Sequence, residues 1–423
     1  MARVKVLIFP CGSENALEIY RALRYSIHVE LYGASSVDDH GEICFERYRG
    51  GMPNISESDF DYEFTKLVRE WGINIIFATH DSVQQYIAER AVQFGTNLVN
   101  GDPYTVRLAR RKSLTYERFS GRPWCPDVYP EASTVSQWPA VVKPDQGQGG
   151  RGVLIVDRLD AAIAAFEKTR DPLLVEYLPG DEITVDCFSD RKGNLLWIGP
   201  RTRERVRAGI SMRSRHLDVD PEIRAIALDI NRELTLRGPW FFQLKRGRAG
   251  NWKLLELSCR VAGGMVAQRA KGINLPLLAV LDYLNLDLMA VPENRVSLVE
   301  RRIKTVGILE YEFDKVFIDF DETMVLGGYA VPSTMRFVYR MLEQGKELVL
   351  ISRHNGSLAL ALEKARISPF LFAEIIHLTA GEEKSRFVTP NSIFVDNHFP
   401  ERIDVALSCG VPVFDVDALE FFH

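Results

Sequence analysis

The stretch VVKPDQGQGGRG, residues 141–152, decides the fold expected for most of the chain. An apolar run ends in Lys143, and four glycines follow within residues 147–152. Glycines let a backbone come close to an anion, and a neighbouring lysine adds a point charge. The stretch therefore predicts a strand–loop–strand ribbon that binds phosphate through Lys143 and the backbone of Gly149 and Gly150. A flexible hairpin tip without a ligand is the alternative interpretation.

A Pro-Gly turn flanked by acids lies further along the chain, in EYLPGDE at residues 176–182. The preceding strand and this turn form an edge that offers backbone groups to an adenine. The acids beside the turn offer a carboxylate to ribose hydroxyls. For such a segment taken alone, a solvated turn is the alternative.

Polar side chains also occur on two strands predicted at WFFQLKR (240–246) and WKLLELS (252–258). Side chains alternate along a strand, so Glu256 and Ser258 share one face, and Gln243 on the preceding strand can lie opposite them. Oxygen ligands suit Mg²⁺, and Arg260 just beyond would face a transferred phosphate. A polar sheet face without a metal is the alternative.

The order and spacing of these patterns resemble the ATP-grasp superfamily, especially carbamoyl-phosphate-synthase-like carboxylate–amine ligases, over nearly all of residues 1–305. The resemblance implies an α/β fold with a Rossmann-like pre-ATP-grasp domain at 1–105. An ATP-grasp domain of two α+β subdomains is expected at 106–310. It also implies ATP with Mg²⁺ or Mn²⁺ as cofactors. The expected reaction makes an acyl phosphate of a small carboxylate, which an amine then attacks.

Site residues are carried over by the same resemblance. They are Lys112, Lys143, Gly149 and Gly150 for ATP phosphates, Glu176 and Leu178 for adenine, Glu182 for ribose, Gln243, Glu256 and Ser258 for the metal, and Arg260 for the transferring phosphoryl group. Ser258 departs from the asparagine usual in this family, and a serine hydroxyl is a shorter and weaker ligand. The arginine-rich strand at 201–207 either closes over phosphate or a substrate carboxylate or forms a charged ribbon face. His80, next to Asp81, is expected to be structural or to lie near a substrate edge.

A second set of polar residues begins at VFIDFDET, residues 316–323, where an apolar strand ends in two acids. VLISR (349–353) and SIFVDN (392–397) are further strands with polar ends, and Lys384 opens a predicted helix. The carboxyl ends of parallel strands meet at one edge of a sheet, so these groups should converge. A flavodoxin-like domain with polar loops is the alternative.

This second set resembles the haloacid-dehalogenase-like (HAD-like) phosphatases, over essentially all of residues 311–423. The implied fold is a capless HAD-like Rossmannoid domain acting on a phosphomonoester. The implied roles are Asp319 as nucleophile, Asp321 as general acid/base, Thr323 and Ser352 as phosphate ligands, Lys384 as neutralising cation, and Asp319, Asp321 and Asp396 as Mg²⁺ ligands. Asn397 departs from the paired acid that is common there.

Composition limits the classes of partner. The 423 residues carry a net charge of −5, which gives no electrostatic case for nucleic acid or an anionic membrane. The N-terminal apolar run is interrupted by Pro10 and Gly12, which predicts a first strand rather than a signal peptide. Six scattered cysteines without a CxxC pair predict reduced thiols and a cytoplasmic protein. The family resemblance is compatible with a homodimer.

The leading hypothesis is a bifunctional enzyme, a carboxylate–amine ligase joined to a phosphatase. The alternative is a phosphatase whose ATP-grasp domain is degenerate and binds nucleotide as a sensor. A third hypothesis, a C-terminal part that only binds a partner, is disfavoured by the intact set of acids and Lys384.

Overall fold

The computed structural model describes residues 3–147, 150–207, 209–302, 304–379 and 381–422. Two compact units are present, Met1–Arg302 (unit 1) and Ile303–His423 (unit 2). The domain limits after residues 105 and 310 stay predictions. No helix within the described ranges is both long and apolar enough to cross a lipid bilayer.

Unit 1 begins with a five-stranded parallel sheet in the order β3-β2-β1-β4-β5. Its elements are β1 (Val4–Phe9), α1 (Glu14–Leu23), β2 (Val29–Ala34), α2 (Gly41–Cys44), β3 (Tyr48–Arg49), α3 (Phe60–Trp71), β4 (Ile75–Ala78), α4 (Asp81–Glu89), α5 (Ala91–Phe94) and β5 (Asn97–Leu98). Strand β1 is almost wholly buried, as expected when helices cover both faces of a parallel sheet. The strand order reverses direction between β1 and β4, and ligands bind open α/β sheets at such points. The loop before α1 and the start of α4 therefore lie where a ligand is expected.

A second region contains a four-stranded sheet in the order β6-β9-β7-β8. Its elements are α6 (Pro103–Arg110), α7 (Lys112–Arg118), β6 (Val128–Tyr129), a 3₁₀ turn (Ala132–Thr134), β7 (Ala140–Pro144), β8 (Leu154–Val156), α8 (Leu159–Lys168) and β9 (Pro172–Glu176). Strands β7 and β8 are antiparallel, so the predicted ribbon around the glycine-rich stretch is confirmed.

A third region carries the remaining strands of unit 1. They form a four-stranded antiparallel sheet (β11-β10-β14-β15) and a three-stranded one (β12-β13-β16). The elements are β10 (Glu182–Ser189), β11 (Leu195–Thr202), β12 (Glu204–Arg207), β13 (Ile210–Arg215), α9 (Pro221–Glu233), β14 (Gly238–Arg246), β15 (Trp252–Ser258), a 3₁₀ turn (Gly263–Met265), α10 (Val266–Ala270), α11 (Leu275–Tyr283) and β16 (Leu298–Glu300). The predicted β14–β15 hairpin is confirmed, with Gln243 directly opposite Glu256.

Two expected elements of unit 1 differ from the structure. The mostly apolar sequence of residues 273–289 predicts a helix, but α11 covers only Leu275–Tyr283, because Asn285 adopts a left-handed backbone with φ 63° just beyond its end. The single arginine-rich strand expected over 201–207 is broken between β11 and β12, and Arg205 has φ 48°. A positive φ at a non-glycine residue interrupts regular strand geometry.

Unit 2 is built on a parallel sheet in the order β21-β20-β17-β22-β23. Its elements are β17 (Lys315–Ile318), β18 (Val325–Leu326), β19 (Tyr329–Ala330), α12 (Pro332–Glu343), β20 (Glu347–Ser352), α13 (Leu358–Ala365), a 3₁₀ turn (Pro369–Leu371), β21 (Glu374–His377), a 3₁₀ turn (Lys384–Arg386), β22 (Ser392–Val395), α14 (Phe399–Cys409), β23 (Val413–Phe414) and a 3₁₀ segment (Val416–Phe421). The helix expected to open at Lys384 is therefore a single 3₁₀ turn. The sequence between Thr323 and Ser352 predicts one helix and one strand, and the structure adds to them only a hairpin of two short strands, β18 and β19.

Candidate active sites

A cavity of about 530 Å³ in unit 1 gathers most of the residues expected to bind nucleotide. Those that line it are Lys112, Lys143, Gly150, Glu176, Leu178, Glu182, Gln243 and Glu256. They come from the start of α7, from β7, β9, β10, β14 and β15, and from the loops beside these strands, and together they span more than 100 residues of the chain. Gly149 lies outside the described residues.

Lys143 is buried at the wall of this cavity, with only 7% of its surface exposed. Its Nζ donates a hydrogen bond to the Tyr116 hydroxyl at 2.7 Å, and that hydroxyl donates to the Leu255 carbonyl at 2.6 Å. Burial, together with the positive charge of Lys112, lowers the pKa of Lys143 to about 7 against the opposing charge of Glu256. A bound polyphosphate would favour the charged form and raise this pKa again.

Lys112 begins helix α7 and is held by the loop that contains Asp145. The Asp145 carboxylate accepts hydrogen bonds from Arg111 Nε at 2.8 Å and from the Ser113 N–H at 2.7 Å. Lys112 Nζ lies 3.4 Å from the Asp145 carbonyl oxygen, and its pKa is lowered by burial although Glu256 opposes the shift. The cavity wall therefore presents the amino groups of two lysines, one held by a hydroxyl and the other beside a backbone carbonyl.

The two acids expected to contact adenine and ribose, Glu176 and Glu182, already form hydrogen bonds or ion pairs within the protein. Glu176 accepts a hydrogen bond from the Asp127 N–H at 3.0 Å and forms an ion pair with Lys253 at 3.2 Å. Glu182 forms an ion pair with Arg203 at 2.7 Å.

Gln243 and Glu256 are the oxygen donors that best fit a hard cation in unit 1. They face each other across β14 and β15 and both line the cavity. Burial raises the pKa of Glu256, although the charge of Lys112 opposes the shift. Within the described ranges, no cluster of three or more His, Cys, Asp or Glu side chains could hold a metal alone. Two protein oxygens still suit Mg²⁺, because that ion keeps water and takes phosphate oxygens as further ligands.

The structure brings Ser258 and Arg260 to Asp81, a partner that the sequence interpretation missed. Ser258 Oγ donates to Asp81 Oδ1 at 2.9 Å, and Arg260 donates through Nε and Nη2 to both carboxylate oxygens at 2.9 Å. Burial would raise the pKa of Asp81, but the charge and hydrogen bonds of Arg260 outweigh it and hold the pKa well below its ordinary value. The position of Asp81 at the first residue of α4, just after a buried parallel strand, was the signal that could have identified it.

A second cavity, of about 210 Å³, adjoins the first. The two share Gly147, Gly209 and four residues with side chains, which are Lys112, Arg203, Gln243 and Glu256. The residues that line only the second include Asn15, Asp81, Arg110, Arg201 and Arg260. The four shared side chains therefore form a border between a larger cavity that carries the expected nucleotide ligands and a smaller one rich in guanidinium groups.

The acids and lysine of unit 2 lie in direct contact. Lys384 Nζ is 2.6 Å from Asp319 Oδ1 and 2.6 Å from Asp396 Oδ2, and all three side chains are buried. Burial raises the pKa of Asp319, with Lys384 opposing the shift and Asp396 adding to it. Burial would lower the pKa of Lys384, but the charges of Asp319 and Asp396 outweigh it and raise the pKa.

The remaining predicted residues of unit 2 surround this trio. Thr323 Oγ1 lies 3.3 Å from Asp319 Oδ2 and accepts a hydrogen bond from the Asn397 N–H at 3.1 Å. Asp321 is exposed, and both its carboxylate oxygens lie 3.0 Å from Nδ1 of His354, a residue not expected at the site. Ser352 is buried at the end of β20, the strand next to β17. Carboxylates, hydroxyls and an ammonium thus meet at one edge of the sheet.

Comparisons with known proteins concern the ATP-grasp fold. Residues 168–306 match the family model described as "ATP-grasp in the biosynthetic pathway with Ter operon". A search of curated proteins found no match. These 139 residues lie almost wholly within unit 1, so the family match covers the part of the chain that carries β9 to β16.

Several solved structures are similar to the chain. The biotin carboxylase domain of 2-oxoglutarate carboxylase from Hydrogenobacter thermophilus has a TM-score of 0.57 at 16% identity, over 68% of this chain and 71% of that one. An L-amino acid ligase from Bacillus licheniformis has a TM-score of 0.52 at 18% identity, over 67% and 74%. N5-carboxyaminoimidazole synthetase from Staphylococcus aureus has a TM-score of 0.55 at 11% identity, over 71% and 80%. The part of the chain that these structures cover therefore has a mixed α/β ATP-grasp fold.

Proposed function

We propose that unit 1 is an ATP- and Mg²⁺-dependent carboxylate–amine ligase. The observation that carries this proposal is the meeting of Lys112, Lys143, Gln243 and Glu256 at one cavity of about 530 Å³ within an ATP-grasp fold. The similar biotin carboxylase domain from Hydrogenobacter thermophilus contains MgADP, and another of the similar structures is an L-amino acid ligase. The substrates are small molecules, a carboxylate and an amine.

The residues of unit 1 act by position and charge. Lys112 and Lys143 neutralise the phosphates of ATP, and the glycine-rich loop approaches them through its backbone. Mg²⁺, held by Gln243 and Glu256, would screen the repulsion between the phosphates and the attacking carboxylate. The substrate carboxylate oxygen bonds to the γ-phosphorus as the bond to ADP breaks. The amine then bonds to the acyl carbon, phosphate leaves, and the amine gives up a proton.

Hydroxylamine tests this step without knowledge of the amine. It replaces the amine and converts an acyl phosphate to a hydroxamate, which gives a coloured complex with ferric ion. The protein, ATP and Mg²⁺ are incubated with a panel of carboxylates, in wild type and in Glu256→Gln. Glu167→Gln, on the exposed face of α8, is the matched control. Hydroxamate formed by wild type and control but not by Glu256→Gln supports the ligase, and equal formation by all three contradicts it.

A nucleotide sensor without ligase turnover is the second candidate for unit 1. It is favoured by the contacts of Asp81, since both Ser258 and Arg260 are bonded to it instead of standing free at the cavity. A sensor would bind MgADP as tightly as an enzyme but form neither ADP nor hydroxamate with any substrate. Nucleotide binding and hydroxamate formation measured on the same preparation separate the two candidates.

For unit 2 we propose a phosphatase of the HAD-like type that acts on a phosphomonoester. An Asp319 oxygen bonds to phosphorus, the ester P–O bond breaks, and the leaving oxygen takes a proton from Asp321. Water then bonds to phosphorus, its proton returns to Asp321, and the bond to Asp319 breaks. Lys384 neutralises charge on the phosphate, while Thr323 and Ser352 hold its oxygens.

The geometry of Lys384 between two buried carboxylates supports this proposal. The donors Asp319, Asp396 and the Asp321 carbonyl suit Mg²⁺, which would supply further positive charge at the phosphate. Release of p-nitrophenol from p-nitrophenyl phosphate measures the activity. Asp319→Asn should abolish it, whereas Asp314→Asn, an exposed acid just before the same strand, should retain it. Equal rates in the two variants would rule out Asp319 as the nucleophile.

A further inference from the structure

The second cavity of unit 1 has a near side and a far side. Its near side is the border shared with the larger cavity, where Lys112, Gln243 and Glu256 would surround the γ-phosphate. The reacting carboxylate must lie at that border, because it attacks the phosphorus there. Arg110 and Arg201 line only the smaller cavity, so they face the other end of whatever occupies it.

The guanidinium of Arg201 is buried, and one of its three nitrogens has no hydrogen-bond partner among the described residues. Only 2% of its surface is exposed, and its Nε and Nη2 donate to the Asp186 carboxylate at 2.7 and 3.2 Å. Its Nη1 is buried and makes no hydrogen bond to any described residue. A buried N–H without an acceptor is unfavourable, so such a group in a cavity wall indicates a missing acceptor.

Gly264 has no side chain, and this leaves the space that the Arg201 guanidinium occupies. A Cβ atom at residue 264 would lie 2.5 Å from Arg201 Nη2 and 2.7 Å from Nη1. The guanidinium therefore packs directly on the backbone of Gly264, and any side chain there would push it away. Its position in the cavity wall is thus fixed on one side by Asp186 and on the other by this glycine.

Arg110 adds a second cation to the same cavity. Its Nη2 donates to Ser82 Oγ at 3.1 Å, while its Nε is buried without a hydrogen-bond partner in the part of the chain that the structure describes. No carboxylate of the described residues forms an ion pair with Arg110. Arg260 differs, because both oxygens of Asp81 occupy its donors. Asp81 lines the same cavity but is bonded to Arg260, so Arg110 is the cation of this side that has no ion-pair partner among the described residues.

We propose that the substrate phosphorylated by unit 1 carries a second anionic group at the end away from the reacting carboxylate. The group is a carboxylate or a phosphate, bound by Arg110 and by Nη1 of Arg201. The inference rests on the proposed ligase function and specifies its substrate as a dianion. The cavity has room for about seven water molecules at ~30 Å³ each, which suits a compact molecule.

Equilibrium binding tests the proposal in the full chain. Dicarboxylates of three to six carbons are titrated into the protein by calorimetry, with and without MgADP, beside monocarboxylates of the same length. Phosphonoacetate and phosphonopropionate form a second arm that distinguishes a phosphate from a carboxylate. Arg110→Gln removes the cation, and Arg107→Gln, an exposed arginine on the same helix, is the matched control.

We expect a dianion of one of these series to bind wild type at least tenfold more tightly than the matching monoanion. That preference should disappear in Arg110→Gln and persist in Arg107→Gln. Arg201→Gln alone leaves Asp186 buried without its cation and is liable to unfold, so the double variant Arg201→Gln/Asp186→Asn provides the second reading and should also lose the preference.

Two results would overturn the proposal. The first is equal affinity for dianions and monoanions in wild type, including no binding of either. The second is a preference that survives both Arg110→Gln and the Arg201 double variant. The MgADP titration keeps the ligase question separate. Failure of MgADP to bind would contradict the proposed function, while the dianion preference measured without nucleotide still decides this inference.

Discussion

Binding of MgADP to unit 1 should be accompanied by uptake of a proton on Lys143. Its pKa of about 7 in the free protein means that about one quarter of the lysines are charged at pH 7.5. Phosphates beside the ammonium would return the pKa towards the ordinary value for lysine, so binding should take up about 0.7–0.8 proton at pH 7.5. At pH 6 the lysine is already charged, and the uptake should fall to about 0.1 proton.

Calorimetry measures this uptake directly. Binding enthalpies of MgADP are compared in buffers of different ionisation enthalpy, and the slope gives the number of protons taken up. Lys143→Met should lose the uptake, while Lys168→Met, an exposed lysine of α8, should retain it. A slope near zero at pH 7.5 in wild type, or an unchanged slope in Lys143→Met, would refute the assignment of a phosphate site to this lysine.

Three further variants follow from the contacts. Asp81→Asn leaves the Arg260 guanidinium, whose side chain is 13% exposed, without its charge partner, and should lower the free energy of unfolding in urea by roughly 1–3 kcal/mol. Lys384→Met removes the cation between two buried carboxylates, one of them Asp319, and should destabilise unit 2 by roughly 3–5 kcal/mol. Mg²⁺ should restore part of that stability, and a melting temperature of the variant that does not change with Mg²⁺ would argue against a metal there. Ser258→Asn introduces a longer oxygen ligand while its amide can still donate to Asp81, and should reduce the Mg²⁺ concentration needed for half-maximal ATP-dependent activity; an increased requirement would contradict Ser258 as a metal-site position.

Local sequence patterns correctly predicted the strands that carry the candidate site residues. The hairpin of β14 and β15 followed from two apolar runs around a glycine, and strand periodicity then placed Gln243 opposite Glu256. The ends of the parallel strands in unit 2 likewise predicted that Asp319 and Asp396 would meet. In each case the relevant distance is fixed by the geometry of neighbouring strands, which a sequence pattern can specify.

Contacts between distant side chains were not accessible in this way. Asp81 and Arg260 are 179 residues apart, and their ion pair depends on how α4 packs beside the end of β15. The hydrogen bond between Lys143 and Tyr116 likewise joins a strand to a helix. His354 was not predicted to lie at the site, because the sequence pattern at the end of this strand pointed to Ser352, two residues before it. The hydrogen bonds of Ser258 and Arg260 to Asp81 are visible only in the folded structure and could not be predicted from the spacing of residues in the sequence.

The ligase proposal is tested most directly by ADP formation. Asp319→Asn protein, in which the proposed phosphatase is silenced, is incubated with ATP and Mg²⁺ and a panel of carboxylates and amines, singly and in pairs. The account predicts ADP formation that requires one particular carboxylate together with an amine, with a dianionic acid as the carboxylate. No ADP with any pair, while the wild type hydrolyses phosphomonoesters, would contradict it and leave unit 1 as a nucleotide sensor.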